Sequence, residues 1–390
     1  MADMRISTHV DRIPLSQTLA LDARAKELAA AGRDIVNMTA GEPDFDSPQV
    51  VRDAAKAAID GGRVRYTPAP GRIELRRAIA AHLERTRGVA FAPENITVCH
   101  SGKHALSGCL LALVSEGDEV LLLLPAWVSY VEQVRFAGGT PVGVAPREDM
   151  GPDFDALAAA ITPRTRGLML NSPSNPSGYV CGPDELARLA AFAKEHDLWI
   201  LSDEIYGRLI YEGEPYGSPV QHGDDARART MIVDGASKTY SMTGYRIGFV
   251  AGDRDVANAV GRLHSQLTGA PNAVGQEAFE ATLASEPTEV ATMCDAFRMR
   301  RDRILAGLAE LSLRTPHPRG AFYVFPDITD HWPGGSSDAF CDALLEDEGL
   351  AIVPGSAFGV DGHVRFSYAC SMEQIEEGLT RLGRFLAKLG

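Results

Sequence analysis

The stretch Gly235-Ala-Ser-Lys-Thr-Tyr-Ser-Met-Thr-Gly-Tyr-Arg-Ile-Gly248 sets one lysine after an apolar run and an arginine eight residues later. A lysine amine condenses with a carbonyl to give a Schiff base when burial or a nearby cation keeps part of it unprotonated. Lys238 is the candidate for that chemistry. Arg246 offers a planar fork of donors matched to a phosphate, and the Ser237 and Ser241 hydroxyls can donate to the same anion. Ahead of them, Thr230-Met-Ile-Val-Asp234 reads as a short buried strand. Ligands of open α/β sheets bind at such strand ends. The pairing suits a phosphate-anchored aldehyde, whereas a lysine without such a context is ordinarily a solvated surface charge.

Leu198-Trp-Ile-Leu-Ser-Asp-Glu-Ile-Tyr206 repeats the arrangement, with an apolar strand emptying into Asp203 and then Tyr206. A carboxylate there can keep a pyridine nitrogen protonated, and a phenol can hydrogen-bond a ring oxygen. Asp203 is equally readable as a helix N-cap. A third strand end, Gly167-Leu-Met-Leu170, runs into Asn171-Ser-Pro-Ser-Asn-Pro-Ser-Gly178. Its density of turn formers predicts a tight loop that presents Asn175 rigidly.

Together these residues resemble the fold-type I, pyridoxal-phosphate-dependent aminotransferases, in particular the subgroup with bacterial aspartate and aromatic aminotransferases. The resemblance runs from Thr39-Ala-Gly-Glu-Pro-Asp-Phe45 to His363-Val-Arg-Phe-Ser-Tyr368. It implies that Lys238 holds pyridoxal 5'-phosphate as a Schiff base and then shuttles a proton between substrate and cofactor. Asp203 would pair with the pyridinium nitrogen, while Asn175 and Tyr206 hold the phenolate oxygen. Ser101, Gly102, Lys103, Ser237 and Arg246 would form the phosphate cup. Trp127, in Pro125-Ala-Trp-Val-Ser-Tyr130, would stack on the ring, although a tryptophan there also reads as ordinary core.

By the same resemblance, Arg365 would clamp the substrate α-carboxylate, helped by the backbone N–H of Gly41. Its neighbours Val364 and Phe366 agree with a strand that turns the arginine into a cleft; a solvated strand face is the alternative. Tyr66, in Arg65-Tyr-Thr-Pro68, would reach across a homodimer interface to the partner's cofactor phosphate. The implied activity is ping-pong transfer of an amino group from an L-amino acid, aspartate or glutamate or an aromatic one, to a 2-oxo acid such as 2-oxoglutarate.

Lys103 either meets a distal substrate carboxylate or only balances the cofactor phosphate. Arg12, Ser16 and Thr18 fall where relatives recognise side chains, but Pro14-Leu-Ser-Gln17 departs from the Pro-Ser-Ala-Thr run of typical aspartate enzymes. A β-eliminating carbon–sulfur lyase would share Lys238, Asp203 and Arg365, and a cyclopropane-forming synthase would need S-adenosylmethionine. A non-enzymatic effector-binding module would need a DNA-binding extension, which is not expected of a chain that starts almost directly at the arm.

At 390 residues and 41.8 kDa, with 45% hydrophobic residues, the chain can bury a large core and is expected to make two domains. A formal charge of −14 argues against a nucleic-acid partner. The apolar run Val120 to Val128 is too short to span a bilayer. Cys99, Cys109, Cys181, Cys294, Cys341 and Cys370 lack metal or redox spacing and are expected to be free thiols in the cytoplasm. His100 and His104 stand at i and i+4, but no third ligand is evident, so no metal is expected.

Leu15 to Ala31 reads as an amphipathic helix behind an N-terminal arm. Strands at Ile96–Val98, Glu119–Leu124, Thr140–Val144, Gly167–Leu170, Leu198–Leu201 and Met231–Val233 alternate with helical segments. The pattern predicts an α/β fold whose mostly parallel sheet, seven-stranded by the family resemblance, is flanked by helices. Ala321–Phe325, Ala351–Val353 and Val364–Phe366, with helices between, predict a smaller α+β domain. The expected limits are 1–45 for the arm and part of the small domain, 46–286 for the large cofactor-binding domain and 287–390 for the small domain.

Overall fold

A computed structural model of the chain describes residues 6–7, 11, 13–14, 17–211 and 216–389. Apart from the short β1 (Val36–Asn37), the first strands are β2 (Ile96–Cys99), β3 (Glu119–Leu123), β4 (Thr140–Val144), β5 (Thr165–Asn171), β6 (Trp199–Asp203), β7 (Thr230–Gly235) and β8 (Gly248–Ala251). They form one sheet in the order β2-β8-β7-β6-β5-β3-β4. All run parallel except β8, which is antiparallel to both β2 and β7. The expected α/β fold with a mostly parallel seven-stranded sheet is therefore what the chain adopts.

Alternation along β3 shows why these strands read as continuous apolar runs. Val120 and Leu122 join one core with Leu106 and Leu110, whereas Leu121 joins another with Leu168, Leu186 and Leu189. Both sheet faces are covered by helices, so neither face needs polar residues. Asp153 and Asp253 cap two helix starts, each carboxylate accepting backbone N–H bonds from the first turn. β8 was not among the expected strands because Gly248-Phe-Val-Ala251 is short and opens on glycine.

The smaller region holds β9 (Tyr323–Val324), β10 (Leu350–Ala351), β11 (Val353–Pro354) and β12 (Val364–Ser367). β12 lies between β11 and β9, antiparallel to both. β1 pairs with β10, which ties the first part of the chain to the last. Helix α1 is described over Gln17–Ala30; Leu15 and Ser16, where the expected helix begins, lie outside the described residues. Among its described side chains only Ala25 is fully buried. Leu21, Ala25 and Leu28 pack against small core clusters, and ion pairs such as Arg24 to Asp342, at 2.9 Å, help to hold the helix.

Behind the carboxyl ends of β6 and β7 sits a buried charge network. Helix α2 (Ile73–Arg87) ends on Arg87, whose Nε donates to Glu204 Oε2 at 2.9 Å and whose Nη2 lies 3.5 Å from Asp234 Oδ2. Its guanidinium also covers the Tyr216 ring at 3.9 Å. Arg87 is 2% exposed and Glu204 1%. Glu204 follows Asp203 and takes hydroxyl bonds from Ser202 and Ser218. Replacing one member of a buried pair strands the other charge without compensation. Arg87→Leu is therefore expected to destabilise the protein by about 3–5 kcal/mol in denaturant unfolding; a loss under about 1 kcal/mol would show that the network bears little on stability.

Candidate active site

The carboxyl ends of β5, β6 and β7 open, together with the start of a helix and a face of β12, on one cavity of about 680 Å³. In the parallel register Asp203 pairs with Val233, and Lys238 follows in the turn beyond β7. Gly41, Ser101, Gly102, Lys103, Trp127, Asn175, Asp203, Tyr206, Ser237, Lys238, Arg246 and Arg365 all line this cavity. Among the described residues, the expected site residues Tyr66 and Ser241 do not line it, and the Tyr66 side chain is fully exposed on the surface of its own chain.

Two close approaches build the mouth. Gly235 and Gly248, the first and last residues of the lysine stretch, face each other across β7 and β8. A Cβ on Gly248 would stand 2.5 Å from the backbone nitrogen of Gly102. Only hydrogen there lets β8 press against the loop of Ser101 and Gly102, and so brings Arg246 beside that loop. Gly102 opens α3 (Gly102–Leu113), whose free N-terminal N–H groups and dipole favour an anion. Lys103 lies over the Trp127 ring, with Nζ 4.8 Å from its centre, and burial together with nearby Arg246 lowers its pKa.

Lys238 is half-buried, and its Nζ donates to the carbonyl of Gly41. Desolvation brings its pKa down to about 8; Arg246 and Arg365 push the same way, and Glu42 and Asp203 oppose. Asp203 is buried, which raises its carboxyl to about 6 against the pull of its hydrogen bonds and of Lys238. Tyr130, on α4 (Ser129–Phe136), donates its hydroxyl to Asp203 Oδ2 at 2.6 Å. The other oxygen accepts from the Ile205 N–H at 3.2 Å and closes a turn. The N-cap alternative is thus corrected: a turn, not a helix, follows β6.

Arg365 is 3% exposed. Val364 and Phe366 go into the apolar core, so the strand alternation points the arginine the other way, into the cavity. Its Nη1 donates to Asn175 Oδ1 at 2.9 Å and its Nη2 to the Thr39 carbonyl at 2.7 Å, while Nε has no partner among the described residues. Asn171 ties the loop to β6 by donating to the Asp203 carbonyl and accepting from the Asn175 N–H. The Tyr206 hydroxyl lies 3.0 Å from that of Tyr323.

Ser241 corrects the sequence reading. Its backbone takes a left-handed turn with φ 50°, and its hydroxyl reaches Met293 Sδ at 3.3 Å instead of the cavity. Arg12 and Ser16 lie outside the described residues, while Thr18 lines the cavity. Tyr130, Tyr323 and Glu42 are members the sequence reading missed. Tyr130 alone carried a signal, standing i+3 from Trp127.

The family model for aminotransferase class I and II matches residues 33–382. The chain is 41% identical to an aspartate/prephenate aminotransferase of Cereibacter sphaeroides, over 98% of this chain and 99% of the relative. It is also 41% identical to an aspartate aminotransferase of Bacillus subtilis, over 99% and 100%. A Thermus thermophilus aspartate aminotransferase solved with maleate superposes with a TM-score of 0.93, at 42% identity, covering 98% of this chain and all of the other. None of these relatives favours the lyase alternative. From its sequence, its fold and its matched span, this chain belongs to the class I and II aminotransferases.

Proposed function

We propose that the cavity binds pyridoxal 5'-phosphate on Lys238 and transfers amino groups from aspartate or glutamate to a 2-oxo acid, with 2-oxoglutarate as the acceptor. The observation that carries this reading is a single cavity shared by a lysine with a lowered pKa, a buried carboxylate and a buried arginine. Its volume falls within the range of cofactor sites. The unpartnered Arg365 Nε and the free N–H groups of α3 are donors suited to a carboxylate and a phosphate. Among the described residues no helix is long and apolar enough to cross a membrane.

When bound, the cofactor supplies an electron sink for charge developing at the substrate Cα. The protein's part follows from its own groups. Arg365 would grip the α-carboxylate and so orient the Cα bonds, favouring loss of the proton over loss of carbon dioxide. Lys238 would hold the cofactor aldehyde and, once free, would serve as the base for the substrate Cα proton; a pKa near 8 leaves enough free base at neutral pH. Asp203, oriented by Tyr130, would keep the ring nitrogen protonated, and Asn175 and Tyr206 would hold the phenolate oxygen.

Ser101, Gly102, Lys103, Ser237 and Arg246 are assigned to the phosphate, Trp127 to stacking, and Gly41 to the substrate carboxylate. Lys103 beside Trp127 is assigned a second task, meeting the distal carboxylate of a dicarboxylic donor. The relatives' names carry aspartate and prephenate; aspartate is assigned as donor here and prephenate as a second acceptor. Tyr66, exposed on its own chain, is assigned to the partner's phosphate site in a homodimer. The domain limits 1–45, 46–286 and 287–390 are part of the same proposal; the apolar cluster that joins Val36 and Met38 to Leu344 and Phe385 supports grouping the first segment with the last. The thiol state of all six cysteines is compatible with a reducing cytoplasm.

Rapid mixing of the purified protein with an amino-acid panel tests the reaction through the absorbance of the bound cofactor. Aspartate and glutamate should convert it to the amine form in one turnover without ammonia, and 2-oxoglutarate and prephenate should restore it; release of ammonia and pyruvate would instead mark a lyase. Lys238→Ala should lose the conversion. Mixed dimers of Tyr66→Phe and Lys238→Ala chains should regain activity through one intact shared site, and no gain would place the tyrosine in its own chain's function. Cofactor-free protein should take up the aldehyde at a rate that climbs with pH to about 8, where Lys238 becomes free base, and then levels off. A rate still climbing toward the ordinary lysine value would contradict the buried amine.

A further inference from the structure

A second constellation lies outside the cavity lining, on the flank of the loop that carries Ser101 and Gly102. β2 ends in Cys99, α3 carries His104 in its first turns, and α5 (Arg254–Leu267) packs against both elements and brings His264. One ligand atom from each of Cys99, His104 and His264 lies within 4.8 Å of the other two. The His104 and His264 rings stack with centres 4.4 Å apart, and the His100 ring stands edge-on to His104 at 5.2 Å. The pair His100 and His104 lacked a third ligand in the sequence, and the fold supplies two candidates from Cys99 and the distant α5.

His264 is the informative member. It is 0% exposed, and neither ring nitrogen has a hydrogen-bond partner of normal geometry among the described residues, although the Ala69 and Val98 carbonyls are near. Buried polar groups are seldom left so, because the lost hydration is not repaid within the protein. A metal ion would satisfy one of those nitrogens.

We propose that Cys99, His104 and His264 bind a zinc ion, with solvent in the fourth position. One thiolate and two neutral imidazoles form a borderline-soft donor set, and none of the three is the carboxylate that calcium or magnesium would require. Tetrahedral zinc sets neighbouring ligand atoms about 3.3–3.6 Å apart. The three ligand atoms, now within 4.8 Å of one another, must draw together to reach that range, with the half-buried His104 giving up the bond its Nδ1 accepts from the His100 N–H at 3.4 Å. Cys99 Sγ now reaches the Thr97 carbonyl at 3.4 Å; on binding, its S–H bond breaks, the proton passes to solvent and the sulfur electron pair forms the bond to zinc. Because Cys99 and His104 bracket Ser101 and Gly102, bound zinc would pin that loop from the side opposite the cavity.

Untagged protein treated with a chelator and then dialysed against zinc alone should retain one ion per chain by elemental analysis. Cobalt(II) in its place should give a thiolate-to-metal charge-transfer band in the difference spectrum. Cys99→Ser should remove that band, and His264→Gln should weaken zinc binding by more than about 100-fold. Should the histidine variant fail to fold, the cobalt spectrum of the unsubstituted protein and of Cys99→Ser still decides. Retention well below one zinc per chain, a cobalt complex without the thiolate band, or binding unchanged by both substitutions would overturn the site.

Discussion

Opposite charges brought out of water at neighbouring strand ends are what the rest of this structure has to accommodate. Asp203 and Lys238 follow β6 and β7, which pair in parallel, and both are desolvated enough to move their pKa values toward neutrality, to about 6 and about 8. In a low-dielectric site each charge is expensive unless answered by specific partners. Tyr130 and the Ile205 N–H answer the carboxylate, and the Gly41 carbonyl answers the amine. The Glu204, Arg87 and Asp234 network directly behind adds two further acids and one guanidinium to the same neighbourhood. There the burial of Asp234 raises its carboxyl to about 7. The local field is thus balanced by geometry, since the net charge of the chain would repel an anionic cofactor.

Close backbone packing makes that geometry possible. Gly235 and Gly248 let an antiparallel strand be inserted between β2 and β7, so a stretch that departs from the sheet at the lysine returns with Arg246 at the Ser101 loop. On the facing side, β12 uses the simplest property of a strand: alternate residues go to the core and Arg365 goes to the cavity. Its two engaged donors rest on Asn175 and Thr39, groups from two other parts of the chain. The site is therefore assembled from strand ends and one strand face, with helices mainly covering the sheet.

Much of this was legible in the sequence because buried parallel strands have no choice but to be apolar. Each of β2 to β7 announced itself, and so did the polar residues at the ends of β5, β6 and β7. What escaped depends on three-dimensional encounter. β8 is too short and too glycine-led to stand out, and Ser241 sits in the right stretch but on a left-handed turn that swings its hydroxyl to Met293. Tyr130 was visible only as an aromatic near Trp127, since nothing in the order of residues says that a helix after β3 will face a strand end from β6. His264 is the extreme case: it lies on an otherwise ordinary helix, and only packing sets it beside Cys99 and His104.

The account stands or falls on whether Asp203 keeps a heteroaromatic nitrogen charged. Nitrogen resonance of the bound cofactor, isotopically labelled in its ring, reads that proton directly in the unsubstituted protein and in Asp203→Ala. A protonated ring nitrogen in the first and a neutral one in the second is the expected result; a neutral nitrogen in the unsubstituted protein at neutral pH would contradict the account.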